Sequence, residues 1–96
     1  MEFNFDFSSE KNEKLILERD VSFYTAIESI IDHGIMLDFE HPNKEKYPNQ
    51  RMFVVEINSY TYCVPYVIDG NKYFLKTVYQ NRDFMFLLDK ETNDVS

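Results

Sequence analysis

The sequence predicts an α+β fold: two N-terminal helices packed on a three- to four-stranded antiparallel sheet, closed by a short C-terminal helix. Three observations carry this. Phe23, Ala26, Ile27, Ile30 and Ile31 recur at the spacing of one helical face, the pattern of a helix with a buried apolar stripe. Phe53, Val55 and Ile57 recur with period two, as in a strand with one face on a core. Turn signals at Asn58-Ser59 and Asp69-Gly70-Asn71 then divide the chain after Arg51 into strand-length pieces, which is the layout of a meander.

The elements follow in order. Glu2 to Phe7 alternates polar and aromatic residues and reads as a short half-buried strand. Ser8 and Ser9 offer capping oxygens to a first helix, Ser9 to Arg19, with Glu10 in the first turn and Lys14 four residues on. Asp20-Val21-Ser22 breaks that helix, and Ser22 caps the second one. Gly34 is placed to close it as a left-handed C-cap. A strand is expected from Gly34 to Phe39, and then the loop His41-Pro42-Asn43-Lys44-Glu45-Lys46-Tyr47-Pro48-Asn49-Gln50-Arg51. Strands follow at Arg51 to Ile57, Tyr60 to Ile68 and Lys72 to Tyr79. Pro65 is compatible with the middle one only at an edge or bulge. Phe84 to Leu88 reads as the C-terminal helix, residues 1–90 as one domain, and residues 91–96 as a frayed tail. The helices would cover one sheet face and leave the other partly open as a place for a site.

Composition bounds the function classes. With 96 residues, 44% of them hydrophobic and 17% aromatic, the chain has material for one core, whereas disorder needs few aromatics and high charge. No apolar run approaches the ~18 residues of a membrane span, and no signal peptide is read. The single cysteine, Cys63, allows no internal disulfide and fits a reducing cytoplasm. Inside a strand it reads as a core residue. Two glycines exclude a glycine-rich phosphate loop.

The net charge of −7 is unevenly spread. Residues 1–40 hold three cations against ten anions, and residues 41–96 hold seven of each. Broad nonspecific nucleic-acid binding is disfavoured by that total, while a local cationic pocket on the second half is not. Candidates for such a pocket are Lys44, Lys46, Tyr47 and Arg51 from the loop, Lys76 and Tyr79 from the last strand, and Arg82 after it. Transesterification at an RNA phosphate needs cations for the phosphorane charge and groups that move protons. His41 and Tyr79 are candidates for the second task, and Lys44, Lys46 and Tyr47 for RNA binding. The competing reading of the cations is solubilising, edge-protecting groups on strands. That of His41 is a turn residue before Pro42, and that of His33 a favourable imidazole at a helix C-terminus. Asp38, Glu40 and His41 form no recognised metal spacing, and neither metal nor cofactor is expected. Tyr60, Tyr62, Tyr66, Tyr73 and Tyr79 could stack bases, though tyrosine is also a common strand former.

The order of several short motifs carries a resemblance. Phe5-Asp6, Lys11-Asn12, Leu15, Glu18-Arg19 and Val21-Ser22-Phe23 lead into the second helix; His41-Pro42-Asn43 to Tyr47-Pro48-Asn49-Gln50 follows, then Leu75-Lys76-Thr77 and Arg82. In this the chain resembles the BrnT-like toxins of bacterial type II toxin–antitoxin modules, a branch of the RelE/ParE superfamily, over roughly residues 3 to 83. The resemblance implies a RelE-like fold and a cytoplasmic, metal-independent mRNA endoribonuclease that inhibits translation. It also implies neutralisation by a cognate antitoxin, often with a DNA-binding part, and no membrane partner. Arg82 is carried over first as an active-site residue, then Lys76 and Arg51. The chain departs from the family at Asp20, where a glycine is usual. It departs again after Arg82, where Asp83-Phe84-Met85-Phe86-Leu87-Leu88 replaces further basic residues, and in its acidity. These departures carry the alternative, a non-catalytic toxin-like domain that binds a protein.

Overall fold

The computed structural model describes residues 4–88. Its elements are β1 (Phe5–Asp6), α1 (Ser9–Arg19), α2 (Phe23–His33), β2 (Leu37–Glu40), β3 (Arg51–Ile57), β4 (Tyr60–Asp69), β5 (Lys72–Leu75), β6 (Tyr79–Gln80) and a 3-10 helix (Arg82–Leu87). The expected frayed tail at 91–96 lies outside the described residues.

Local chemistry explains the helix boundaries. Ser8 Oγ accepts from Lys11 N–H to start α1. At its end Asp20 adopts φ 55°, ψ 37° and returns its N–H to Ile16 C=O, a left-handed cap that costs a non-glycine residue about 1 kcal/mol. Ser22 Oγ accepts from Thr25 N–H to cap α2. Gly34 ends α2 at φ 82°, ψ 179°. The positive φ explains a glycine there, but ψ 179° lies outside the left-handed helical region of the cap expected. In α2, Phe23, Ala26 and Ile30 are buried while Ile31 is 75% exposed. At 100° per residue Ile31 points roughly 120° from the middle of the buried arc, which Ser29 widens on the opposite side. The Ser29 hydroxyl donates to Glu56 C=O and so ties α2 to β3.

The sheet is larger than expected and mixed. Its order is β1-β5-β4-β3-β2, with β6 also on β4, making six strands among the described residues. β2–β3, β3–β4 and β4–β5 are antiparallel neighbours, as the meander predicts. β1 is parallel to β5, with Phe5 beside Tyr73. A two-residue strand has too little pattern to announce a partner at the far end of the chain, which is why the prediction of a purely antiparallel, three- to four-stranded sheet falls short. The tight turns match the turn chemistry. Ile57 faces Tyr60 across Asn58 (φ 52°) and Ser59 (φ 63°), and Asp69 faces Lys72 across Gly70 (φ 63°) and Asn71.

The predicted strand from Lys72 to Tyr79 is broken. Tyr66 faces Leu75, but four residues back along β4 Tyr62 faces Gln80, five residues on. The extra residue is a bulge, and it sits beside Pro65. Pro65 accepts from Lys76 N–H at 2.7 Å but has no N–H to return, so the ladder cannot run through it.

Both faces of the sheet are covered. On the helix face Leu15, Val21, Phe23, Ala26 and Ile30 pack on Phe53, Val55, Ile57, Val64, Tyr66, Leu75 and Val78. On the other, Met52, Val54 and Cys63 are packed by Met36, Leu37, Phe39, Tyr79, Phe84 and Leu87. The face expected to be partly open is therefore extended by Leu37 and Phe39 of β2 and covered by the 3-10 helix, which begins two residues before the predicted C-terminal helix. Phe84 reaches Phe39 at 5.9 Å between ring centres, and Thr61 ties the segment down by donating to Asn81 C=O at 2.6 Å. Full burial of such a side chain contributes about 1.5–3 kcal/mol, and the partly buried Phe84 and Leu87 each gain a share of that. That is enough to fold an apolar tail back onto the sheet.

Candidate functional site

With both faces occupied, the open ground lies at the bulged end of the sheet, where β4, the Lys76–Val78 bulge and the His41–Gln50 loop meet. Bulges re-aim the side chains of the strand that carries them. This one is braced from α1, because Arg19 Nη1 donates to Val78 C=O at 3.0 Å and to Thr77 Oγ1 at 3.1 Å. The loop is braced by its own amides. His41 N–H donates to Gln50 C=O, Tyr47 N–H to Asn43 C=O, and Lys46 N–H to Asn43 Oδ1. The side chain of His41 joins in: Nδ1 accepts from Asn43 N–H at 3.1 Å, and the ring packs on Tyr47 with centres 4.5 Å apart.

Loop and bulge enclose a cleft of about 370 Å³ lined by Lys11, His41, Tyr47, Gln50, Pro65, Lys76, Thr77 and Tyr79. It brings together four residues predicted as site candidates: His41, Tyr47, Lys76 and Tyr79. Two lysines line it and, among the described residues, no carboxylate does, on a chain whose net charge is −7. Across Tyr79 lies a second cleft of about 420 Å³, lined by Arg19, Val21, Tyr62, Tyr79 and Gln80.

The other predicted site residues stand elsewhere. Arg51 shares the helix-side face with Tyr66 and is held by Asp38, with Nε 3.2 Å from both Asp38 Oδ1 and Tyr66 Oη. These partners raise its pKa further, the Tyr66 hydrogen bond first and the Asp38 charge next. Lys44 pairs with Glu40 at 2.8 Å, which lowers the pKa of the Glu40 carboxyl. Lys46 Nζ lies over the Tyr47 ring, 5.4 Å from its centre. Arg82 opens the 3-10 helix, is exposed, and lines neither cleft beside Tyr79. Asp38 and Glu40 are each committed to a cation, and no group of three metal-ligating side chains comes together among the described residues.

Two phenols are strongly perturbed. Burial, reinforced by the hydrogen bond to Asp38 at 2.7 Å, pushes Tyr66 up to about 12. Burial also pushes Tyr79 up to about 12, with the neighbouring Cys63 adding to it. Tyr79 therefore stays a phenol at neutral pH and is no base; its hydroxyl donates to Met52 Sδ at 3.8 Å within the second core cluster. Cys63 is fully buried and burial pushes its thiol up as well, so it is a core residue without nucleophilic character.

Lys11, Gln50 and Thr77 line the cleft without having been singled out by charge or spacing. The signal that could have found Lys11 is the Lys11-Asn12 pair within the resemblance. Asn12 is the structural half of that pair: its Oδ1 accepts the buried N–H of Phe23 at 2.8 Å, joining α1 to the start of α2. With Leu15 in the core and Arg19 on the bulge, that joint holds α1, on which Lys11 is carried. No family model matches the chain, and neither a curated protein nor a solved structure matches it.

Proposed function

We propose that this protein is the toxin of a type II toxin–antitoxin module, a cytoplasmic, metal-independent mRNA endoribonuclease neutralised by a cognate antitoxin. One observation carries the reading. His41, Tyr47, Lys76 and Tyr79, distant in sequence, line one cleft with Lys11 and, among the described residues, no carboxylate. A cleft lined by two lysines and, among the described residues, by no carboxylate favours a phosphodiester against the field of an acidic chain; Lys76 Nζ lies 5.4 Å from the Phe74 ring centre and swings from there to meet it. In the reaction the 2′-oxygen attacks phosphorus and the P–O5′ bond breaks, leaving a 2′,3′-cyclic phosphate and a 5′-hydroxyl. Lys11 and Lys76 stabilise the phosphorane charge. Tyr79, once its hydroxyl turns from Met52 Sδ, gives its proton to the leaving oxygen and recovers one from solvent, while the 2′-hydroxyl proton passes to water.

The test is induced expression in a bacterium beside cleavage of purified RNA in the presence of a chelator. Wild type should arrest growth and leave cleaved mRNA. Removing one transition-state cation contact costs roughly 100-fold in rate, so Lys76→Ala should abolish arrest. Arg82→Ala, carried over from the resemblance but outside the cleft, should cost less. Well-folded wild-type protein that leaves growth and RNA intact would sink the reading.

A second reading has its own observation. On α1, Ile16 is 48% and Leu17 86% exposed, lining a shallow groove with Glu13. A non-catalytic domain that binds a protein through this helix would need those side chains and not the cleft. Leu17→Lys and Lys76→Ala therefore separate the two readings.

A further inference from the structure

We infer that His41 serves the cleft as a hydrogen-bond donor to a bound phosphate, through Nε2–H, and not as the base that removes a proton. The inference rests on the cleft being a phosphate site, as proposed above, and concerns what its histidine does there. Asn43 N–H points at Nδ1 from 3.1 Å. A backbone N–H can only donate, so Nδ1 is the acceptor, and in a neutral imidazole the other nitrogen then carries the proton. A base at Nε2 would need that proton on Nδ1, placing two N–H groups against each other.

The loop leaves little freedom to avoid this. The Asn43 amide is set by the turn that Tyr47 N–H and Lys46 N–H close onto Asn43, and the His41 backbone is tied to Gln50. The ring is further held by Tyr47. Turning the ring over would put a carbon opposite the Asn43 N–H and leave that donor unmet. With Nδ1 committed, Nε2 is the nitrogen left for a ligand. An N–H donor in the cleft that Lys11 and Lys76 also line adds a directed hydrogen bond to their flexible point charges. It orients a phosphate oxygen without taking part in proton transfer.

The experiment uses the full chain and inorganic phosphate as the probe. A long-range proton–nitrogen correlation spectrum is recorded above the ordinary histidine titration range, with His41→Gln identifying the His41 signals. The expected result is an unprotonated, acceptor-type Nδ1 and a protonated Nε2 whose signals move on phosphate addition. Gln places an N–H donor near Nε2 but cannot act as a base, so His41→Gln should hold phosphate within about threefold of wild type. His41→Ala should weaken it about tenfold or more. The opposite tautomer, or His41 signals indifferent to phosphate, overturns the inference. So does RNA cleavage by wild type that is lost in a folded, phosphate-binding His41→Gln protein. If phosphate binds as expected but RNA is never cut, the nuclease reading fails while the donor role stands.

Discussion

Replacing Asn12 by alanine tests the joint on which the site depends. Asn12 is 9% exposed, and its Oδ1 accepts from the N–H of Phe23, a residue with no exposed surface at the first position of α2. The first N–H groups of a helix have no partner within it. Ser22 Oγ already serves Thr25 and Ser22 C=O serves Ala26. Alanine at 12 would therefore leave a buried donor unmet, which costs about 1–3 kcal/mol. At roughly 2 kcal/mol, and about 4–8 °C per kcal/mol for a domain of this size, the melting temperature should fall by about 8–16 °C. Asn12→Asp keeps an acceptor in place and adds a charge that a helix N-terminus favours by about 0.3–1 kcal/mol, so it should lie within about 1 kcal/mol of wild type. Urea unfolding read by circular dichroism gives both midpoints, with the slope unchanged if the folded state keeps its compactness. An Asn12→Ala protein within about 0.5 kcal/mol of wild type would refute the reasoning. So would an Asn12→Asp protein as unstable as Asn12→Ala.

Three further outcomes are expected. Tyr66 and Tyr79 are each held near 12, above the ordinary 10.0. The unfolded chain ionises them first, so their contribution is intact below about pH 10 and is lost as pH rises towards about 12; Tyr66→Phe should flatten that loss in urea midpoints taken across the window, and an unchanged slope would count against it. Asp20 (φ 55°) and Ser59 (φ 63°) occupy backbone that favours glycine, so Asp20→Gly and Ser59→Gly should each stabilise by about 0.5–1 kcal/mol in thermal melts; destabilisation by either would show its side chain to matter more than its backbone. Cys63 is sealed on the sheet face packed by Phe84 and Leu87, so Phe84→Ala with Leu87→Ala should speed its labelling by a thiol reagent by about tenfold or more through local opening. Unchanged labelling would mean that the 3-10 helix does not guard that face.

The sequence by itself determined what depends on near neighbours. Both α-helices keep their predicted bounds because Ser8 and Ser22 are local caps. β3 likewise keeps its own because period-two patterning and a two-residue turn are local signals. The tertiary structure alone decided what depends on distant parts of the chain. β1 finds β5 across nearly the whole sequence. The apolar residues after Arg82 gain more by covering Met52, Val54 and Cys63 than by staying in water, and this closes the face expected to be open. Pro65, flagged as needing an edge or a bulge, makes the bulge only because β5 and β6 run beside it. The same holds for the candidate site. The residue types were legible, since His41, Tyr47, Lys76 and Tyr79 were all named from their chemistry. Their grouping was not, because charge alone does not distinguish Arg51, which Asp38 and Tyr66 hold, from Lys76, which the bulge carries to the cleft. Lys11 arrives from a helix held by Leu15 in the core, Arg19 on the bulge and the buried Asn12 amide. Sequence names the groups that could do chemistry, and long-range packing decides which of them meet.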